Sequence, residues 1–176
     1  PILWTYFLED YQRNRILAPY DPSIDPTNQG INWQPHQAKI AIASGGLTGT
    51  GLGEGTQSQS NAIPGKHTDF IFAVVGEELG LIGACLVILL LMIIVIRCVQ
   101  IGLRSGNTMS MLVCFGVAST VVFQTFENIG MCIGIAPVVG ITLPFFSYGG
   151  SSLFSMFAAM GLVSGIKYRP KPTLSL

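Results

Sequence analysis

The stretch LGLIGACLVILLLMIIVI, residues 79–96, decides the fold class of this chain. It is free of charged residues, and a helix needs roughly 20 apolar residues to cross the hydrocarbon core of a bilayer. Lipid offers no hydrogen-bond partners to the backbone, so a buried apolar segment of this length must form a helix. We therefore predict that residues 70–96 form a transmembrane helix.

The composition of the chain also indicates a membrane protein. Of its 176 residues, 49% are hydrophobic and 10% are charged, and its mean hydropathy is +0.56. Soluble domains carry about 25% charged residues. The formal net charge is zero, which argues against nucleic acid as a partner. The four cysteines lack Cys-x-x-Cys or Cys/His spacing, so no zinc site or disulfide framework is predicted.

Two further apolar stretches complete the predicted topology. The chain starts without Met or a signal-peptide pattern, and its first residues look like the end of an earlier span. We therefore expect a C-terminal portion of a larger, all-α integral membrane protein. The predicted order is 1–8 helix end, 9–69 extracellular loop, 70–96 helix, 97–108 cytoplasmic loop, 109–135 helix, 136–146 extracellular re-entrant-like loop, 147–166 helix and 167–176 cytoplasmic tail.

Basic residues decide the predicted orientation. Arg97 and Arg104 flank one short connection with no acid between them, and the tail 167–176 carries three more basic residues. The two clusters are separated by two crossings, so they share a side, and cytoplasmic loops carry an excess of Lys and Arg. Segments 9–69 and 136–146 are therefore predicted to face outward together.

The outward segment 9–69 is too long for structureless chain, so we expect it to contain short helices, one of them near 34–42. Residues 44–56 are dense in glycine but lack the Gly-Lys-Ser/Thr ending of a phosphate loop, and no predicted strand precedes them. Tight turns against the membrane surface are the favoured interpretation. A backbone nest that binds an anion stays open as an alternative.

Asp69 is the leading candidate for chemistry. It lies beside His67 and Lys66 in the run that ends the outward segment, where a span begins. Two compatible interpretations stay open: Thr68 or Asp69 caps a helix, or the Asp69 carboxylate works as a general base. The acids Glu77 and Glu78 follow two turns later and are interpreted as a structural pair or as part of a site.

Polar residues of the second half are expected to face Asp69. The prolines and glycines of 137–150 allow an irregular backbone at membrane depth, which is tolerated where it lines a cavity. The hydroxyls expected there are those of Ser147, Tyr148, Ser151 and Ser152. Capping of the next helix by Ser147 is the alternative. On the second span, three residues share one face and serve either a site or interhelical hydrogen bonds: Gln124, Glu127 and Asn128.

Several motifs, in this order, resemble the shape, elongation, division and sporulation (SEDS) family of bacterial cell-wall polymerases. They are DYQRNR (10–15), DP (25–26), IASGGL (42–47), GTQSQ (55–59), HTDFIFA (67–73), EELG (77–80), NIGM (128–131) and the run 137–150. Within the family, GTQSQ resembles the rod-shape members more than the division members. The chain departs from the usual pattern at Gly65-Lys66, where an acid often precedes the His, and at Glu127, where an apolar residue is usual.

The resemblance implies a ten-span protein of the bacterial cell membrane, of which this chain would be roughly the last four spans. It implies polymerisation of lipid II into glycan strands outside the membrane, with Asp69 as the essential aspartate. It also implies a class B penicillin-binding protein as partner, besides the surrounding lipids. A lipid II flippase and a non-catalytic scaffold for that partner are the alternatives.

The implied reaction needs further groups around Asp69. Positive charge must stabilise the diphosphate leaving group, and a divalent cation, magnesium or manganese, is an alternative source of it. No other cofactor is expected, and the sequence identifies no metal ligands. The expected substrate-binding residues are Arg13, Arg15, Lys39, Gln57, Lys66, His67, Glu78, Ser147, Tyr148 and Ser151.

Overall fold

The structure is a computed structural model, and it describes residues 9–60, 63 and 65–168. These residues contain seven helices and no strand, so the predicted all-α class is confirmed. The predicted span end at 1–8 and the tail from residue 169 onward lie outside the described residues. The helices are α1 (Asp10–Leu17), α2 (Trp33–Gly45), α3 (Thr56–Gln59), α4 (Ile71–Glu78), α5 (Gly80–Arg104), α6 (Thr108–Ile133) and α7 (Gly150–Tyr168).

Helices α5 and α6 are long and apolar enough to cross a membrane. They contain 25 and 26 residues, and only 28% and 17% of their most apolar windows are buried inside the protein. The outward side chains are apolar, as Leu86, Leu90 and Phe123 illustrate. A helix in the core of a soluble protein would instead bury such residues. The third predicted span coincides with the 19-residue α7, and its crossing stays a prediction.

The predicted helix 70–96 is wrong in its continuity, because the structure contains two helices there. The break lies at Gly80, whose φ of +66° is a left-handed conformation suited to glycine. A Cβ at Gly80 would collide with the backbone nitrogen of Gly49, so the glycine-dense loop occupies the break. At its other end α5 continues to Arg104, and the predicted loop 97–108 is largely helical. The helix therefore continues beyond the apolar stretch and includes the charged residues Arg97 and Arg104.

The outward segment contains the expected short helices, α1, α2 and α3. Helix α2 covers the predicted surface helix at 34–42 and packs on α4, where Ala38 and Ala41 are fully buried. The glycine-dense loop follows α2 and adopts positive φ at Gly46, Gly49, Gly51 and Gly53. The loop therefore contains the expected tight turns, and its position against a membrane surface stays a prediction.

The main core lies between segment 9–69, the N-terminal half of α5 and the C-terminal half of α6. Phe70, Ile63, Met131 and Leu143 are its largest buried apolar side chains, and each is at most 2% exposed. They come from the turn before α4, from the outward segment, from α6 and from the loop after α6. This core holds the two predicted outward segments against each other.

Candidate active site

Three consecutive carbonyl groups join the end of the first outward segment to the second half of the chain. Each accepts a hydrogen bond from a different donor beyond residue 127. The pairs are Tyr148 N to His67 O at 2.8 Å, Ser147 Oγ to Thr68 O at 2.6 Å, and Asn128 Nδ2 to Asp69 O at 2.8 Å. Tertiary hydrogen bonds therefore fix the backbone of residues 67–69 directly to α6 and to the loop after it.

The carboxylate of Asp69 lies half-buried between two glycines. A Cβ built on Gly140 would be 3.2 Å from Asp69 Oδ2, and one built on Gly65 would be 4.0 Å from the same oxygen. Within residues 9–60, 63 and 65–168, no hydrogen bond or ion pair engages the carboxylate oxygens of Asp69. The absence of side chains on both glycines leaves room beside the Asp69 carboxylate.

Both capping interpretations are wrong. Helix α4 begins at Ile71, and its N-cap position, Phe70, has no side-chain cap, so neither Thr68 nor Asp69 caps it. The Ser147 hydroxyl donates to the Thr68 carbonyl and accepts the backbone N–H of Leu143 at 2.7 Å. Ser147 forms these bonds because the loop between α6 and α7 folds back on itself and packs against Thr68 before α7 begins.

The other hydroxyls expected to face Asp69 have different surroundings. Tyr148 is 82% exposed, and its backbone N–H, rather than its phenol, contacts His67. Ser151 is exposed in the first turn of α7. Ser152 pairs with Thr142 at 2.8 Å between the two hydroxyl oxygens. The His67 side chain is also exposed.

Two of the expected cations lie at helix C-termini. Lys66 Nζ donates to the carbonyls of Ser58 at 2.6 Å and Ser60 at 3.3 Å, at the end of α3. The ammonium of Lys39 lies against Gly134, the C-cap of α6. Cations are favoured there because the last carbonyls of a helix carry partial negative charge.

The two expected arginines lie on α1, away from these contacts. Arg13 forms an ion pair with Asp10 at 3.2 Å, and the guanidinium of Arg15 is 5.8 Å from the centre of the Tyr11 ring. No hydrogen bond or ion pair between Arg15 and Asp69 occurs in the described part of the chain.

The acid pair after Asp69 organises the outward segment. Glu77 is fully buried, and its carboxylate accepts the backbone N–H groups of Gln57 and Ser58, both at 2.8 Å. Glu78 accepts the Ser58 hydroxyl at 3.1 Å. These bonds support the structural interpretation of the pair. They also place Gln57 and Glu78 in one hydrogen-bond network between α3 and α4.

Comparison with known proteins decides the family. A family model described as "Cell cycle protein", covering FtsW, RodA and SpoVE, matches residues 1–171. The chain belongs to this family. The FtsW/RodA/SpoVE relatives include the peptidoglycan glycosyltransferase MrdB of Escherichia coli (strain K12), 45% identical over 94% of this chain. A probable peptidoglycan glycosyltransferase FtsW of Geobacter metallireducens is 42% identical over 96% of this chain.

The chain spans about 44–45% of the length of these FtsW/RodA/SpoVE relatives. It is also similar to a solved structure described as "Structural coordination of polymerization and crosslinking by a peptidoglycan synthase complex". That similarity has a TM-score of 0.69 at 32% identity, and it covers 96% of this chain and 45% of the solved one. The SEDS resemblance stated from the motifs is thereby confirmed.

For this FtsW/RodA/SpoVE chain, sequence reasoning missed the direct neighbour of the Asp69 carboxylate. Gly140 belongs to the run 137–150, in which no sequence signal distinguished it from the other glycines. In the structure its φ of +78° is a conformation suited to glycine, and it lies beside Asp69 Oδ2. Within the described residues, no group of three or more His, Cys, Asp or Glu side chains could hold a metal ion.

Proposed function

We propose that this chain contributes the catalytic aspartate, Asp69, of a peptidoglycan glycosyltransferase that polymerises lipid II during cell-wall elongation. The observation that carries the proposal is the half-buried Asp69 carboxylate beside Gly140. Among the described residues nothing bonds to this carboxylate, while Asn128 holds the backbone of Asp69. The activity is supported by the relatives MrdB and FtsW, which are named as a peptidoglycan glycosyltransferase and a probable one. The GTQSQ run, which resembles rod-shape members, supports elongation.

Asp69 acts in this proposal as a general base in an inverting transfer. The donor sugar is α-linked to a diphosphate and the product is β-linked, so an acceptor hydroxyl attacks the anomeric carbon from the opposite face. The new C–O bond forms as the bond to the diphosphate oxygen breaks, and the hydroxyl proton passes to the carboxylate. A positioned base contributes typically 10²–10⁴-fold to such a step.

The leaving diphosphate requires positive charge near the site. Lys66 and Lys39 are the candidates: the Lys66 ammonium donates to a carbonyl at the end of α3, and the Lys39 ammonium lies against Gly134 at the end of α6. Electrostatic stabilisation of developing charge is usually the largest catalytic term. His67, Tyr148 and Ser151 are exposed on the same side and are proposed to contact the sugar or peptide portion of the substrate.

The proposed setting follows from the positive-inside pattern and from the solved relative. Asp69 is proposed to lie on the extracellular side, because Arg97, Arg104 and Lys167 mark the opposite end of α5 and α7 as cytoplasmic. A crosslinking penicillin-binding protein is the proposed partner. The name of the similar complex, which couples polymerisation to crosslinking, supports that pairing.

The test is glycan polymerisation by the full-length protein with its partner and purified lipid II. Asp69→Asn and Asp69→Ala are each expected to lower the rate of polymer formation by 10²-fold or more, within the range for a lost general base. The matched control is Asp21→Asn, an exposed acid whose carboxylate bonds to Ser23. Normal polymer formation by both Asp69 variants would refute the base role.

Transport of lipid II is the alternative with a specific observation behind it. Helix α6 carries Gln124, whose buried Oε1 has no hydrogen-bond partner within the described residues, and the buried Glu127 next to Asn128. Such groups suit a polar path through a membrane protein. Movement of lipid II across vesicle membranes by wild-type protein, without any polymer, would favour transport over polymerisation.

A further inference from the structure

The side-chain amide of Asn128 connects two segments that both contact the Asp69 carboxylate region. Its Nδ2 donates to Asp69 O at 2.8 Å and to Ile141 O at 2.7 Å. Ile141 directly follows Gly140, the glycine beside Asp69 Oδ2. One amide group thus sets the distance between the peptide that carries the acid and the peptide that forms the wall next to it.

The orientation of this amide follows from hydrogen-bond chemistry. An NH₂ group can donate two hydrogen bonds, and both donors are directed to carbonyl oxygens. The reversed amide would place its oxygen against two other acceptors. The side chain is 0% exposed, so no bulk water competes for these bonds.

The remaining atom of the amide argues against a role in stability alone. Asn128 Oδ1 is buried and has no hydrogen-bond partner within the described residues. A buried acceptor without a partner lowers stability, and such groups in native proteins often mark functional positions. The unpaired oxygen is therefore a cost to stability that the placement of Asp69 by the same amide would justify.

We propose that Asn128 is a positioning residue for the reaction, acting through Asp69. The inference rests on the proposed function, because it needs Asp69 to be the base. Ser147 and Tyr148 hold the two preceding carbonyls, and Asn128 is the one residue of the described part of the chain that bonds to the carbonyl of Asp69 itself. Asn128 lies on a long helix, so it fixes the acid to a rigid element, and a misplacement of about 1 Å can cost about 10²-fold in rate.

The test uses Asn128→Leu, which keeps the branched shape but removes both donors, in full-length protein with its partner and lipid II. We expect kcat to fall about 10–10²-fold while KM stays within about 3-fold, because only the placement of the base changes. The matched control is Thr125→Val on the same helix. The Thr125 hydroxyl bonds to Val121 O of α6 itself, so this isosteric change should leave kcat unaltered.

A second variant covers a failure of Asn128→Leu to fold. Asn128→Ser keeps one donor and should retain a kcat between those of the wild type and the Leu variant. Wild-type kcat in a folded Asn128 variant would overturn the inference, and so would a rise in KM at constant kcat or an equal loss in Thr125→Val. Loss of folding in both Asn128 variants would assign the residue to stability and would also overturn it.

The Asp69→Asn variant separates the two proposals. If Asp69→Asn is inactive while folded Asn128 variants are normal, only the positioning role fails. If Asp69→Asn polymerises lipid II normally, the proposed base role fails, whatever the Asn128 variants do.

Discussion

The fully buried carboxylate of Glu77 lies 2.8 Å from the backbone nitrogen of Ser58, which is 19 residues earlier in the chain. The same carboxylate accepts the N–H of Gln57 with its other oxygen. One acid on α4 therefore satisfies the first N–H groups of α3, a helix of only four residues. A helix this short has no stability of its own, so it depends on that bond.

The bond between Glu77 and α3 predicts a graded loss of stability. Glu77→Ala leaves two buried N–H groups without an acceptor and should lower the free energy of unfolding by about 1–3 kcal/mol per group. Glu77→Gln keeps one acceptor oxygen and should lose less. For both variants, the midpoint of thermal unfolding in detergent measures the loss of stability, and the rate of protease cleavage within residues 50–60 measures the loosening of α3.

The control for this prediction is Glu78→Gln. The single proton of the Ser58 hydroxyl has two acceptors within reach, Glu78 and Gly55 O at 3.2 Å, and Gly55 O remains after this change, so the midpoint should alter little. Equal midpoints for Glu77→Ala and Glu78→Gln would contradict the assigned role of Glu77.

The contact between α2 and α4 predicts that Gly45→Ala is destabilising. A Cβ at Gly45 would collide with the carbonyl oxygen of Gly76 and lie 2.9 Å from the Cα of Glu77. These neighbours are backbone atoms that cannot rotate away, so the helices must separate, at a cost of about 1–3 kcal/mol. Gly116→Ala on α6 is the control, because nothing lies within 4 Å of its Cβ position. An unfolding midpoint as low for Gly116→Ala would contradict the prediction.

The open space beside Asp69 predicts a catalytic effect of Gly140→Ala, if the proposed function holds. Gly140 and Gly106 both adopt positive φ, +78° and +67°, so an alanine at either position carries a similar backbone cost of about 1–2 kcal/mol. Only the methyl group at residue 140 would crowd Asp69 Oδ2, at 3.2 Å.

We therefore expect polymerisation to fall about 10-fold or more in Gly140→Ala and to change little in Gly106→Ala, since a displaced base loses its alignment. Polymer yield per folded protein is the measurement. Similar yields from the two variants would show that the space beside Asp69 does not matter.

The turn after α1 predicts an acid-sensitive element in the outward segment. The Asp25 carboxylate accepts the backbone N–H groups of Asn32 at 3.0 Å and Gly30 at 2.9 Å. The hydrogen bond from Asn32 contributes most to lowering the pKa of Asp25 below its ordinary 3.8. Because the folded pKa is the lower one, the turn is fully stabilised above about pH 4 and loses this stabilisation as pH falls through the folded pKa.

Hydrogen exchange of the Asn32 amide between pH 7 and 3 measures this effect, after correction for intrinsic exchange. Protection should be constant near neutrality and decrease below about pH 4, and Asp25→Asn should remove this decrease. Asp21→Asn is the comparison, since the Asp21 carboxylate bonds to Ser23 instead. The same acid response in Asp25→Asn would disprove the assignment.

Much of the fold was predictable because hydropathy is a local and additive signal. The apolar runs that became α5 and α6, and the short helices of 9–69, required only residue type and spacing. Asp69 was also found as a candidate from its position next to a span. The family motifs, which are local too, led to the same family as the comparisons.

The capping interpretations and the continuous helix 70–96 failed because distant partners replaced local ones, whereas the predicted loop 97–108 failed because charged residues did not end α5. Ser147 and Thr68 are residue types that cap helices, but in the structure the Ser147 hydroxyl bonds to the Thr68 carbonyl, 79 residues away. A capping bond joins residues that are close in sequence. It does not form when tertiary packing brings an acceptor that is distant in sequence within reach of the hydroxyl. The break at Gly80 has the same origin, because a loop from before α3 occupies it.

The sequence by itself determined that the chain forms apolar helices and that an acid stands at the start of one of them. Only the tertiary structure decided what holds that acid. Asn128 is 59 residues from Asp69, and its amide reaches the Asp69 carbonyl because α6 packs beside the outward segment. Such hydrogen-bond partners depend on which helices and loops pack against each other, and the order of residue types along the chain does not determine that packing.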